Sequence, residues 1–162
     1  FRFNSTTAET LRVTARLIEA GANPQTIYTE LYEQDTLPRL QLRGRILSRT
    51  KTELNGRLAH TCALAEDFQA TGALATDTED GINLTLGIKG VEVAVIFVAA
   101  DAGTVGDKFK LSFRSRAANV DCSKLAEKFG GGGHKAAAGA SYEGPIEAAQ
   151  QAVLDAVRAT MR

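Results

Sequence analysis

Gly130-Gly131-Gly132-Gly133-His134-Lys135 is the least ordinary stretch of the sequence. Four consecutive glycines abandon side-chain packing and carry a large entropy in the unfolded chain. A fold tolerates such a run where the backbone must take positive φ or let a ligand approach its N–H groups closely. Successive amides in such a loop can form a concave nest for an anion, with His134 as a titratable donor and Lys135 as a fixed charge beside it. A phosphate suits all three features, while a flexible hairpin or a helix stop accounts for the glycines without a ligand. Just upstream, in Lys108 to Arg116, Phe109, Leu111 and Phe113 alternate with Lys110, Ser112 and Arg114. A period of two makes this a strand with one core face and one basic face, on which Lys110, Ser112, Arg114 and Arg116 can lie together. The planar fork of arginine matches phosphate bidentately, which makes Arg114 the first candidate for a phosphate contact; solubilising edge charges are the competing reading for Arg114 and Arg116. Between Lys108 and Lys135 seven cations stand against two carboxylates, in a chain whose 19 basic and 19 acidic residues cancel. Anion binding is therefore expected to be local rather than global.

Other chemistry is missing. Metal-assisted phosphoester hydrolysis needs several carboxylates or histidines converging on an ion. The acidic group Asp77-Thr78-Glu79-Asp80 falls in the first turn of a predicted helix, where acids favour the helix dipole. His60 lies on a predicted strand without an evident partner and reads as structural. No GxSxG elbow, P-loop or HExxH helix is present. Cys62 and Cys122 are 60 positions apart with no CxxC, and are expected to be reduced and buried. No catalytic residue and no metal ligand is assigned within this sequence.

The elements that must position these residues follow from periodicity and caps. A length of 162 residues with 44% apolar and 23% charged residues suits a globular fold of one domain or one plus a fragment. No apolar run reaches the roughly 18 residues of a membrane span. Thr6 with Glu9 predicts a capping box for a first helix ending near Ala20 and Gly21; Asn23-Pro24 opens a second. Thr36-Leu37-Pro38 starts a third, with Leu42, Ile46 and Leu47 inward and Arg39, Arg43, Arg45, Arg49 and Lys51 on a solvated face. The turn dipeptide Asn55-Gly56 marks a change of texture and the expected domain boundary. Beyond it the pattern predicts a strand from Leu58, a helix capped by Thr76 and Glu79 through Leu86, and an apolar central strand at Val91 to Ala99. Gly103 and Gly106 flank a turn into the basic strand. Asp121 caps a short helix with Leu125 and Phe129 inward, a small-residue strand covers Ala138 to Tyr142, and a last helix runs from Pro145 to Met161. The fold class is α+β, with N-terminal linker helices followed by a mixed sheet packed with helices.

Phe113-Arg114-Ser115-Arg116, Asn119-Val120-Asp121, Leu125-Ala126 and Phe129 through Ala140 together resemble the C-terminal DHHA1 domain of the DHH phosphoesterases, whose signature is Gly-Gly-Gly-His. Gly87 to Ala94 resembles the stretch leading into that domain's central strand, and Phe1 through Ala22 resembles the end of the catalytic DHH domain with its linker helices. The chain thus reads as a fragment, most similar to the nano-RNase type, an oligoribonuclease and pAp phosphatase also described as exopolyphosphatase-related. The resemblance implies a helical tail and linker over residues 1–55 and a DHHA1 substrate-binding domain over 56–162. It implies that Arg114 and Ser115 contact the substrate backbone and that Gly131, Gly132 and Gly133 with His134 bind its terminal phosphate; Arg116 and Lys135 are expected among the phosphate-binding residues from the charge of the strand and the glycine loop. It further implies Mn2+ in the DHH domain of the same chain, which is expected as a partner. Short RNA or nucleotide phosphates are the expected ligands, without a membrane and in the cytoplasm. Apolar surface at Val91 to Ala99 and on the last helix suggests a homodimer. Two rival readings share parts of the pattern: a cyclic di-AMP phosphodiesterase C-terminal domain, and a nucleic-acid-binding appendage like that of alanyl-tRNA synthetase.

Overall fold

Val93–Ala99 contains no polar side chain and forms a strand, β3, that is buried along its whole length. In the computed structural model, which describes residues 5–100 and 108–162, this strand lies inside one mixed sheet. Among the described residues the sheet has six strands: β1 (Lys51–Glu53), β2 (Leu58–Ala63), β3, β4 (Lys108–Ser115), β5 (Gly132–His134) and β6 (Ala137–Glu143), in the order β1-β2-β3-β4-β6-β5. β2 and β3 are parallel; every other neighbouring pair is antiparallel. Being covered on both faces, β3 offers no surface for a dimer, contrary to the expectation from its apolar sequence. The turn expected at Gly103 and Gly106, and Phe1 to Asn4, lie outside the described residues.

The chain divides into two units, Phe1–Thr36 and Leu37–Arg162. The first holds α1 (Ala8–Glu19) and α2 (Pro24–Tyr32). The α1 cap is Thr7 rather than Thr6: Thr7 Oγ1 accepts from Thr10 N at 3.3 Å, and Thr7 N donates to Thr10 Oγ1 at 3.2 Å. Glu9 is turned instead to Arg12, 3.0 Å away. Asn23 caps α2 as expected, its Oδ1 accepting from the amides of Gln25 and Thr26. Neither helix buries a residue, and Leu17, Ile18, Ile27, Leu31 and the ring pair Tyr28 and Tyr32, tilted at 44° to each other, line an apolar groove of about 270 Å³.

The second unit begins with α3 (Leu37–Ser48), upstream of the boundary read at Asn55-Gly56. Leu42 and Ile46 are buried against the sheet, whereas Leu47 is exposed. The α3 cations are not a solvated face. Arg39 and Arg43 reach Asp80 at 2.6 and 3.0 Å, and Arg49 and Arg45 pair with the fully buried carboxylate of Asp67. Lys51 lies beyond the helix, in β1. Asp67 belongs to α4 (Ala65–Thr71), where it also accepts from Leu64 N at 2.8 Å. The expected Thr76–Glu79 box is replaced by a 3-10 turn, Ala75–Thr78, in which Asp77 accepts from Leu74 N, and α5 (Glu79–Leu86) follows directly. Gly81 lets α5 approach closely: a Cβ there would stand 3.1 Å from Ile46 and 3.3 Å from Ile96.

Strand alternation then separates two faces. Leu58, His60, Val95, Phe97, Leu111 and Phe113 share the face closed by α6 (Cys122–Glu127) and α7 (Ile146–Thr160). Arg158 of α7 clamps Glu53 through bonds of 2.7 and 2.9 Å, and His60 Nε2 lies 3.3 Å from the same carboxylate. His60 therefore has a partner that the sequence did not suggest. The opposite face carries Thr61, Ile96, Ser112 and Arg114; α3 and α5 cover its β2–β3 half, Thr61 Oγ1 donating to the Ile46 carbonyl. No helix among the described residues is long and apolar enough to cross a membrane.

Phe97 is wholly buried at the middle of β3. Phe97→Ala should cost roughly 3–5 kcal/mol in urea unfolding, the usual range for a deleted core aromatic. A pH effect follows from the Glu53 cluster. Burial, outweighing the attraction of Glu53, lowers the His60 pKa, and the Arg158 guanidinium holds Glu53 below the usual carboxylate range. On acidification the unfolded chain takes up these protons first, near about pH 6.5 for histidine and about 4.3 for glutamate. Stability should thus be complete above neutral pH and fall below it; His60→Gln should flatten the urea midpoint between pH 7.5 and 5.5, while an unchanged slope would contradict the assignment.

Candidate functional site

β4 presents Phe109, Leu111 and Phe113 to the core and Lys110, Ser112 and Arg114 to the opposite side, where α5 borders β4 and Gly132 and His134 of β5 are exposed. The cross-strand register sets the geometry of this open face. Arg114 pairs with Ala137, and Ala137 pairs with His134, so these three side chains stand on one rung. Ser112, Gly139 and Gly132 form the next rung, and Lys110 with Ser141 the one after. Two strand spacings put the Arg114 and His134 backbones about 10 Å apart, with only the Ala137 methyl between their longer side chains. The space over Ala137 can accept an anion from both sides. Arg114 uses one donor on the Phe113 carbonyl at 3.0 Å, which steadies the side chain and leaves most of its fork for a ligand.

The glycine run is not a single nest of amides. Gly130 N and Gly131 N donate to the carbonyls of Glu127 and Ala126, closing α6, and the rest of the run enters β5. Three of the four glycines have reasons within the fold. Gly130 takes φ +70°, a Cβ on Gly131 would lie 2.1 Å from the Gly139 carbonyl oxygen, and Gly133 combines φ +149° with a contact of 2.6 Å to Ala138 Cα. Gly132 has neither: a Cβ there meets nothing within 4 Å, and it projects on the open face beside the Arg114–His134 rung. It is the glycine whose bareness the packing does not require.

The remaining sequence candidates separate. Ser115 falls on the covered face and is 8% exposed; its Oγ engages Ala117, accepting from that amide at 3.0 Å. Its amide donates to the Ala136 carbonyl at 3.0 Å, and Cys122 N donates to the Lys135 carbonyl at 2.9 Å. These two bonds tie the Lys135-Ala136 turn to the end of β4 and the start of α6, so Ser115 positions the His134 hairpin. Lys135 itself is exposed at the turn. Arg116 lies past the end of β4, and its guanidinium donates to the Leu86 carbonyl at the C-terminus of α5, a favourable place for a cation. It does not continue the row formed by Lys110, Ser112 and Arg114.

A wall of the site was not visible in the sequence. Thr78, Glu79, Asp80 and Asn83 of the 3-10 turn and α5 face Lys110, Ser112 and Arg114 across a cavity of about 370 Å³ floored partly by Ile96 and Val98. No local signal joins α5 to β4, which are separated by more than 20 residues and meet only through the sheet. Burial pushes the Cys122 thiol up to about 11, so it is an inert core group. Among the described residues no three His, Cys, Asp or Glu side chains are grouped to hold a metal ion. What the site can do chemically is bind and orient an anion.

The DHHA1 domain model matches residues 63–162. The chain is 35% identical over 159 residues to the bifunctional oligoribonuclease and PAP phosphatase NrnA of Thermus thermophilus, covering 98% of this chain and 45% of the relative. It is 29% identical over 141 residues to the Bacillus subtilis protein of the same name, covering 87% of this chain and 42% of that one. The crystal structure of an exopolyphosphatase-related protein from Bacteroides fragilis superposes with a TM-score of 0.85 at 27% identity, over 98% of this chain and 45% of that one. The pGpG-specific phosphodiesterase PggH of Vibrio cholerae shares the fold, with a TM-score of 0.54 at 14% identity over 99% of this chain and 53% of that one. The chain spans less than half the length of the curated relatives it matches. With 100 consecutive residues matched and the Gly-Gly-Gly-His strand, the basic β4 and their register in place, the chain belongs to the DHHA1 domain family.

Proposed function

We propose that this chain is the substrate-recognition part of a DHH-family phosphodiesterase that trims short RNA and removes phosphate from pAp. The observation that carries the reading is the alignment of Arg114 with His134 across Ala137, beside a glycine whose missing side chain the fold does not require. Arg114 would hold a substrate phosphate through charge-assisted bonds, His134 would bond it from the opposite side, and Gly132 would let it rest against the strand. Lys110 and Lys135 add positive potential at either end of the face. Ser115 contributes by fixing the hairpin rather than by touching the ligand.

Hydrolysis is assigned to a linked DHH domain. The resemblance to DHH phosphoesterases is the ground for expecting manganese in that domain, where bound metal would supply the activated water. This chain's own share is to fix the phosphate and exclude alternative orientations, a contribution to positioning and electrostatic preorganisation. The exposed apolar groove of α1 and α2 is assigned to contact with that domain, since two helices without a buried residue are marginal alone.

An amide-shift titration of the chain with pAp, a 5′-phosphorylated RNA dinucleotide and cyclic di-AMP tests this reading. The linear ligands should move Gly132 to Lys135 and Arg114 most, and Arg114→Ala should weaken pAp binding about 10- to 100-fold, the equivalent of about 1.5–3 kcal/mol for hydrogen bonds to a charged group. Equal binding by the variant would contradict the proposal, and a preference for the cyclic ligand would favour a cyclic-dinucleotide enzyme instead.

A further inference from the structure

The cavity between α5 and β4 holds two kinds of polar group. Lys110 and Arg114 on the strand donate only, and Glu79 on the helix accepts only. Ser112 and Asn83 can do both. Glu79 and Asn83 are four residues apart on α5, which places them one above the other on one side of the helix. Among the described residues, the side chains of Glu79, Asn83, Lys110 and Ser112 enter no hydrogen bond or ion pair with the protein. Asp80 differs, being held by Arg39 and Arg43 of α3. That anchor and the close approach at Gly81 fix α5 against the sheet, so the wall is rigid relative to Arg114. The cavity volume of about 370 Å³ lies within the roughly 300–1,000 Å³ of small-molecule sites.

A ligand that satisfies this arrangement carries a phosphate for the strand and hydrogen-bond donors for the helix. Inorganic polyphosphate brings negative charge and acceptors but no donors, and the Glu79 carboxylate repels it. A nucleotide brings ribose hydroxyls and, on adenine, an edge with a donor beside an acceptor that an asparagine amide can match. We infer that Glu79 and Asn83 are specificity-determining residues, which read the donor groups of the nucleoside while its phosphate rests on Arg114. The inference rests on the proposed role of Arg114 as the phosphate contact.

The test compares the affinities of the chain for 5′-AMP and for n-butyl phosphate at about pH 8, where both are dianions. Matching the charge matters, because Glu79→Gln removes a negative charge and strengthens binding of any anion; only the ratio of the two affinities reports donor recognition. Wild type should prefer 5′-AMP, and Glu79→Gln and Asn83→Ala should each lower that preference about 5- to 10-fold. Both positions are exposed, and amide spectra of the variants verify an intact fold. If the preference is unchanged while Arg114→Ala weakens both ligands, the wall does not read the nucleoside and the phosphate site stands. If Arg114→Ala weakens neither ligand, the phosphate reading fails and this inference fails with it.

Discussion

β4 must keep Phe109, Leu111 and Phe113 out of water, and that requirement decides which way Lys110, Ser112 and Arg114 face. A slip of one residue would bury an arginine and a lysine without partners while exposing two phenylalanines, so the register is strongly specified. Everything in the candidate site hangs from it. β6 pairs with β4 along seven positions, and β5 pairs with β6 along three, which carries the alternation of β4 across to Gly132 and His134. Small side chains at Ala137 and Gly139 keep the intervening strand low. The apolar core and the basic face are thus two sides of one constraint.

Charge is sorted by the same architecture. The chain is neutral, yet two groups of its cations are treated differently. Those of α3 are matched to Asp67 and Asp80, and they join α3 to α4 and α5. Such half-buried pairs stabilise weakly on balance but are costly to break, because removal of one partner leaves the other desolvated. On β4, Lys108 pairs with Glu143 at 3.2 Å, whereas among the described residues no carboxylate binds Lys110, Arg114 or the hairpin's Lys135. A basic face therefore survives on a molecule without net charge. Arg116 stands apart from that face and serves the C-terminus of α5.

Features that arise from short-range chemistry were legible in the sequence. The alternation of Phe109 to Arg114, the unbroken apolar run of β3, the Asn23 and Asp121 caps and the glycine-rich strand each depend on neighbours within a few positions. The signature from Phe129 to Ala140 carried the family. Cap positions were less secure, because several threonines compete near α1: Thr7 wins over Thr6 by pairing with Thr10, and at α5 Asp77 outbids Thr76 by starting a 3-10 turn first. Long-range pairings were invisible. Nothing near His60 and Glu53 announces Arg158, which reaches Glu53 from α7, 105 positions along the chain, and nothing near Glu79 and Asn83 announces the β4 cations opposite. The glycine run was legible as unusual but not as to cause, since only the fold reveals that Gly130, Gly131 and Gly133 answer to backbone geometry and Gly132 does not.

Gly132 is consequently the sharpest probe of the account. Gly132→Val places a side chain in space the protein leaves open, so the melting temperature should stay within a few degrees of wild type while affinity for pAp falls at least about tenfold. Unchanged pAp affinity in a folded Gly132→Val chain would contradict the claim that the open face of β4-β6-β5 receives the phosphate.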